Sequence, residues 1–287
     1  MLYLNDKPIT VERFPNGESQ IDGGVLAGDG TLDLRWHYDD DKDFLRLTLV
    51  KRHLDLQPRR VRLSVDYFPY SRMDRQTGDV FALKYVARVI NDLGFDEVVV
   101  QEPHSDVLLA LVDHVRAEYP SSTWLLERAM RNCGFDPGRD LLLFPDAGAQ
   151  KRYHDLSELY LHLVGLKYRS TSTGGLSDSH VLGAEQIALD AQIIIVDDLC
   201  SYGGTFLRAA ETVNAAVDRQ VTTHLVVTHL EPAVYLGTLL SSGLFASVTA
   251  TTSMQDVALD PLVRLYDVVT HAPIDNQEKT NQMKEES

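Results

Sequence analysis

The stretch IIIVDDLCSYGGT, residues 193–205, decides how the rest of the chain is read. Four β-branched apolar residues in a row, Ile193 to Val196, suit a strand buried on both faces of a parallel sheet. Asp197 and Asp198 follow at once, then Ser201, Tyr202, Gly203, Gly204 and Thr205, and then a run at helical spacing over 204–217. In open parallel sheets, ligands sit beyond the carboxyl ends of the strands. Paired carboxylates at such an end suit ribose hydroxyls or a magnesium ion, which prefers hard oxygen ligands. The two glycines let the backbone approach an anion, and the first turn of a helix offers N–H groups and a positive dipole end. Thr205 adds a hydroxyl donor. Strand, Asp-Asp, Gly-Gly-Thr and helix in this order read as a phosphate loop rather than a plain corner.

Similar runs lie on either side. Val61, Leu63 and Val65 predict a strand, and Leu83, Val86, Ala87, Ile90 and Leu93 predict a helix over 82–93 stopped by Gly94. Val98 to Val100 predict the next strand and 107–115 the next helix. A second block repeats the alternation: a strand at 141–144, a helix near 149–162 and strands near 163–167 and 193–196. A helix over 204–217 and a strand near 221–228 close it. The expected class is α/β, with parallel sheets flanked by helices. Asp136-Pro137-Gly138 marks the expected boundary, giving domains over 1–136 and 137–274 and a polar tail over 275–287. Leu32, Leu34 and Trp36, and then Leu45, Leu47 and Leu49, alternate with polar residues around the acidic run 39–43, which predicts a β-hairpin in the first domain.

The 287 residues carry 27 Lys and Arg against 42 Asp and Glu, a formal charge of −15. Such a chain lacks the basic face that a bulk grip on nucleic acid or an anionic membrane needs. Cys133 and Cys200 are too few for a disulfide framework or a cysteine-rich zinc site. The opening MLYLNDKPIT has polar residues where a signal peptide needs an apolar core, and no apolar run approaches the ~20 residues of a membrane span. The expectation is a soluble, cytoplasmic protein.

The 193–205 segment resembles the phosphoribosyl-pyrophosphate (PRPP) motif of type I phosphoribosyltransferases and PRPP synthetases. Tyr67-Phe68-Pro69-Tyr70-Ser71-Arg72-Met73-Asp74-Arg75 is similar to the ATP loop of the synthetases. Glu102-Pro103-His104 stands where that family has Asp-Leu-His. Phe144-Pro145-Asp146-Ala147-Gly148-Ala149-Gln150-Lys151-Arg152 is similar to its Ser-Pro-Asp-Ala-Gly-Gly-Ala-Lys-Arg. Phe14-Pro15-Asn16-Gly17-Glu18 resembles an element that a neighbouring subunit lends to the adenine pocket. Lys167-Tyr168-Arg169 matches the family's Lys-x-Arg at the root of a catalytic loop, followed by the polar segment 170–179. Plain phosphoribosyltransferases lack the ATP elements, so the chain resembles the ribose-phosphate pyrophosphokinase (PRPP synthetase) family.

The resemblance implies two type I phosphoribosyltransferase-like domains and transfer of the β,γ-diphosphoryl group of ATP to the anomeric hydroxyl of a ribose 5-phosphate unit, releasing AMP. By the same match, Phe14, Asn16, Glu18, Arg72, Asp74, Arg75 and His104 serve ATP, and His104 and Asp146 serve Mg2+. Lys167, Arg169 and His104 serve catalysis. Asp197 and Asp198 hold the ribose, and Ser201 to Thr205 the 5′-phosphate. Phe14 and Glu18 acting across a subunit boundary imply a homo-oligomer with shared sites. Departures matter too: Ser201 and Tyr202 replace an acid and a threonine, Met73 a glutamine, and Asn16 an aspartate. The amino-terminal part looks trimmed, with no helix expected between the hairpin and residue 61. These changes leave two acceptors open, ribose 5-phosphate and ADP-ribose. The second would make ADP-ribose 1-pyrophosphate, as in the PRPP-synthetase-like enzymes of phage NAD salvage. A catalytically silent regulatory relative and a phosphoribosyltransferase are the alternatives.

Overall fold

The computed structural model describes residues 1–26, 30–75, 78–169 and 176–274, with side chains left out at 167–169 and 176–179. The expected polar tail, 275–287, lies outside the described residues. The chain divides into two compact units, Met1–Glu118 and Tyr119–Ser287.

The first unit contains β1 (Leu2–Leu4), β2 (Lys7–Pro8), β3 (Val11–Arg13), β4 (Ser19–Ile21), β5 (Leu32–Trp36), α1 (Lys42–Leu54), β6 (Val61–Val65), α2 (Ala82–Leu93), β7 (Glu97–Gln101), α3 (Asp106–Leu111) and β8 (Val115–Glu118). Its sheet runs β2-β1-β5-β6-β7-β8. Neighbours from β5 to β8 are parallel, and β1 is antiparallel to β5. Because β5 to β8 follow one another in the same direction, right-handed crossovers put α1, α2 and α3 on one face. Leu34, Trp36, Leu63, Val65, Val98 and Val100 pack there against Leu47, Val50, Leu83, Ile90 and Leu108. The alternate residues point the other way and form a lattice of charge: Arg62 meets Asp33, Arg116 meets Glu97 and Glu118, and Gln101 meets Glu118.

The expected hairpin over 32–49 is corrected. Its first arm is β5, but 42–54 is helical. Leu47, Val50 and Leu54 make the buried stripe at helical spacing, while Leu45 and Leu49 are 62% and 44% exposed. The connection that looked too short for a helix therefore holds one. Hairpins do occur, but earlier: β1 with β2, and β3 with β4. The helix expected over 107–115 ends at Leu111, and Val115 already starts β8.

The second unit contains α4 (Trp124–Cys133), β9 (Leu141–Phe144), α5 (Ala147–Arg152), α6 (His154–Leu159), β10 (His162–Arg169), β11 (Leu176–Leu182), β12 (Gln192–Cys200), α7 (Gly204–Val217), β13 (Thr222–Leu230), β14 (Phe245–Thr251) and β15 (Val263–Tyr266). The sheet order is β11-β10-β9-β12-β13-β14-β15. All neighbours are parallel except β11, which runs antiparallel to β10. Period two sorts the central strand between layers: Ile193 and Ile195 pack with Phe206, Ala210 and Val213 of α7, and Ile194 and Val196 pack with Leu125, Ala129 and Tyr153. The division between units falls earlier than the expected boundary after 136, because Leu125, Leu126 and Ala129 of α4 belong to this second core. The single helix expected near 149–162 is broken at buried Tyr153, whose ring stacks on Phe144 and whose hydroxyl accepts from Ser121 Oγ at 3.0 Å.

Candidate active site

Register gathers the candidate residues of the second unit at one edge of its sheet. Ile195 pairs with Leu143, and Val164 with Phe144. Asp146, Asp198 and the end of β10 therefore leave neighbouring strands at a common level. β9 sits between β10 and β12, where the chain's direction across the sheet reverses, the position at which open α/β sheets bind ligands.

Asp197 falls on the α7 side of β12 and Asp198 on the other, because their side chains continue the alternation of Ile193 to Val196. Asp198 is buried, 5% exposed. The Arg152 guanidinium, at the end of α5, lies 2.7 Å from Asp198 Oδ1 and 3.6 Å from Asp197 Oδ1. Burial, and then the neighbouring Asp198 carboxylate, hold the Asp197 carboxyl well above the usual range. Burial alone would lower the Arg152 pKa, but Asp198, Tyr153 and Asp197 raise it, so the guanidinium stays charged. Arg152 was assigned no role from the sequence. The signal for it was its place in a six-residue helix that starts at Asp146 and ends beside β12.

Residues 201–205 join the end of β12 to the start of α7. Gly203 takes the left-handed conformation, φ 86°, at the N-cap of the 14-residue α7 and supplies no capping side chain. The first N–H groups of the helix have no intrahelical acceptor and remain to meet an anion. Tyr202 is 58% exposed, and Ser201 and Thr205 are half-buried. Burial, followed by Glu231 and Asp197, pushes the Cys200 thiol up to about 12, which removes it as a nucleophile. Asp146 caps α5, its Oδ1 accepting from Gly148 N and Ala149 N at 3.0 Å each. Lys167 and Arg169 end β10, but their side chains and the segment 170–175 lie outside the described residues.

In the first unit, adjacent parallel strands β6 and β7 deliver the ATP-loop candidates and His104 to the same sheet edge. Arg72 and Arg75 are exposed and Asp74 is buried, with Arg75 Nε 3.3 Å from Asp74 Oδ1. The aromatics of this loop divide. Phe68, 1% exposed, belongs to the core and is no base platform. Tyr70 takes a positive φ of 62°, and its hydroxyl donates to Asp41 Oδ1 at 2.7 Å. The Tyr38 hydroxyl donates to the same oxygen at 2.7 Å. That bond to Asp41 raises the Tyr70 pKa; burial and then Asp41 raise that of Tyr38. His104 is half-buried and follows Glu102, itself at a positive φ of 38°. Phe14 is 48% exposed in the turn between β3 and β4, where Asn16 Nδ2 donates to Glu18 Oε2 at 2.9 Å.

The ribose-phosphate pyrophosphokinase of Saccharolobus solfataricus is 26% identical over 220 residues, 73% of this chain and 72% of the relative. That of Sulfurisphaera tokodaii is 27% identical over 254 residues, 85% and 84% of the two chains. Over most of its length the chain is thus similar to curated ribose-phosphate pyrophosphokinases at about a quarter identity. The fold is similar to that in a crystal structure of phosphoribosylpyrophosphate synthetase from Mycobacterium smegmatis, TM-score 0.68 at 18% identity, covering 96% of this chain and 89% of that one. The architecture of parallel sheets flanked by helices is thus shared with that structure. No protein-family model matches the chain.

Among the described residues, no three His, Cys, Asp or Glu side chains cluster as a metal cage, and no helix is long and apolar enough to cross a membrane. Magnesium needs no such cage, since one or two carboxylates with substrate phosphates and water suffice. The hard oxygens of Asp146, Asp197 and Asp198 fit that demand.

Proposed function

We propose that this chain is an ATP-dependent diphosphokinase acting on a ribose 5-phosphate moiety. The observation that carries this reading is the Asp197–Asp198 pair, with Asp198 buried against Arg152, running directly into the uncapped Gly203–Thr205 turn of α7. The anomeric hydroxyl oxygen attacks the β-phosphorus of ATP, the bond from that phosphorus to the α,β-bridging oxygen breaks, and AMP leaves with that oxygen. The hydroxyl proton is released, so the products are the 1-pyrophosphate, AMP and a proton.

Such a transfer needs positioning and charge neutralisation more than covalent help. Asp197 and Asp198 orient the ribose hydroxyls, and main-chain N–H groups at the start of α7 bind the 5′-phosphate. Lys167 and Arg169 spread over the transferring group, and Arg72, Asp74, Arg75 and His104 receive ATP. His104 in the first unit and Asp146 in the second are the residues that would hold Mg2+, which would supply further neutralisation of the polyphosphate. Phe14, Asn16 and Glu18 serve the adenine of a neighbouring subunit in a homo-oligomer; an exposed Phe14 at a hairpin tip supports that role. Tyr202, 58% exposed beside the phosphate loop, favours ADP-ribose as acceptor through stacking on the distal adenine.

Incubation with ATP, magnesium and either acceptor, followed by AMP measurement, tests the proposal. Faster release with ADP-ribose, lost in Tyr202→Ala, supports the second acceptor. No release with either refutes the enzyme reading and leaves a silent relative.

A further inference from the structure

The phosphate loop rests on a segment to which the sequence assigned nothing. After β13 the chain turns through a short 3₁₀ segment, Pro232–Leu236, and reaches Gly237. Glu231 N donates to the Cys200 carbonyl at 2.9 Å, tying this segment to the end of β12. A Cβ on Gly237 would lie 2.3 Å from the Tyr202 carbonyl oxygen and 3.1 Å from its carbon. Only a glycine permits that approach. Conformation does not demand one, because φ −87° and ψ −175° are extended backbone open to any residue. Two residues on, buried Leu239 closes under Gly203, where a Cβ would fall 2.5 Å from Leu239 Cδ1.

The consequence lies in the peptide plane. The Tyr202–Gly203 peptide bond is trans, so the Tyr202 carbonyl and the Gly203 N–H point in opposite directions. A carbonyl seated on Gly237 turns the Gly203 N–H away from that floor, beside the first N–H groups of α7.

We propose that Gly237 is a positioning residue for the phosphate loop: by seating the Tyr202 carbonyl it fixes the Tyr202–Gly203 peptide plane and aims the Gly203 N–H at the phosphate of a sugar-phosphate ligand. The inference rests on the reading of Ser201–Thr205 as the phosphate site and names a residue outside that loop that tunes it. Gly237→Ala isolates the effect, since alanine fits the backbone and only the contact with Tyr202 is at stake.

The test is calorimetric binding of ribose 5-phosphate and of ADP-ribose, beside ATP affinity and thermal melting. The expected result is a loss of sugar-phosphate affinity of about tenfold or more, the scale of one charge-assisted hydrogen bond, with a lowered melting temperature as the Tyr202 carbonyl is displaced and with ATP affinity near wild type. Gly138→Ala, whose Cβ would meet only Asp136 Oδ1 at 3.4 Å, is the control. Wild-type sugar-phosphate affinity in Gly237→Ala overturns the inference alone, and so does equal loss of ATP and sugar-phosphate binding. Absence of sugar-phosphate binding by the wild type overturns the phosphate-site reading together with it. Should Gly237→Ala misfold, NMR titration of the wild type with ribose 5-phosphate decides. A large shift of the Gly203 amide supports the inference, and an unmoved amide refutes it.

Discussion

Arg152→Met asks whether the carboxylate pair of β12 is held open by one cation. The guanidinium stands 2.7 Å from Asp198 and 3.6 Å from Asp197, and the three side chains are 19%, 7% and 18% exposed. At an effective dielectric of about 20, unit charges at the shorter distance, that to Asp198, attract by about 6 kcal/mol. Desolvation offsets much of this, and breaking a buried pair from one side costs about 3–5 kcal/mol. The residual exposure places this site toward the lower end, about 3 kcal/mol at pH 7.5. The loss must depend on pH. Asp197 already has its folded pKa raised, by burial and then by Asp198, so its ionisation weakens the fold as pH rises through the window above 3.8. Without Arg152 that folded pKa climbs further, and the penalty at pH 7.5 exceeds that at pH 5, where Asp197 takes up its proton more readily. Urea unfolding at both pH values measures this. A loss below about 1 kcal/mol at pH 7.5, or an equal loss at both, would show that Arg152 does not carry the pair.

Other perturbations probe the scaffold. Burial pushes the Asp140 carboxyl up, but the Arg139 guanidinium, Asp136 N–H and Gln192 hold it down at about 2, below the ordinary 3.8. Its contribution is therefore complete above about pH 5 and fades as the pH falls toward 2; Asp140→Asn should cost about 1–2 kcal/mol at pH 7 and almost nothing at pH 2. Leu47→Ala should cost about 3 kcal/mol, and Leu45→Asp less than about 0.5, whereas a strand over 45–49 would make both residues matter alike. Asp41→Asn removes the anion that accepts from Tyr38 and Tyr70. The ultraviolet titration of the most alkaline tyrosines should then move to lower pH and ATP affinity should fall about threefold, the scale of a hydrogen bond on an exposed loop. An unchanged titration would separate Asp41 from both phenols.

Legibility followed burial. Strands covered on both faces, such as Leu141–Phe144 and Ile193–Val196, announced themselves as uninterrupted apolar runs, and the site residues at their ends came with them. The same signal failed at 42–54, because Leu45, Leu47 and Leu49 alternate like a strand, although only Leu47, with Val50 and Leu54, is inside. Phe245–Thr251 and Val263–Tyr266 went unread, since Ser247, Thr249 and Thr251 are buried polar residues that break the apolar pattern. Their partners explain the exception: Ser247 Oγ meets His224 Nδ1 at 2.8 Å, and Thr251 donates to the Thr228 carbonyl at 2.7 Å. Arg152 was invisible as a site residue because its partners lie 45 and 46 positions onward, a distance that only the sheet register closes.

Among the described residues of the first unit, α1, α2 and α3 lie on a single side of the sheet, and the opposite side is a mosaic of compensating ions. An apolar layer must keep its volumes, whereas a mosaic of this kind has only to keep its signs matched from strand to strand. Exchanging Asp33 with Arg62, or Glu97 with Arg116, rewrites what that side presents without disturbing the hydrocarbon beneath or the loops at the strand tips. The fold thus holds a layer whose charges can be rewritten in pairs while the candidate loops at the strand tips keep their places.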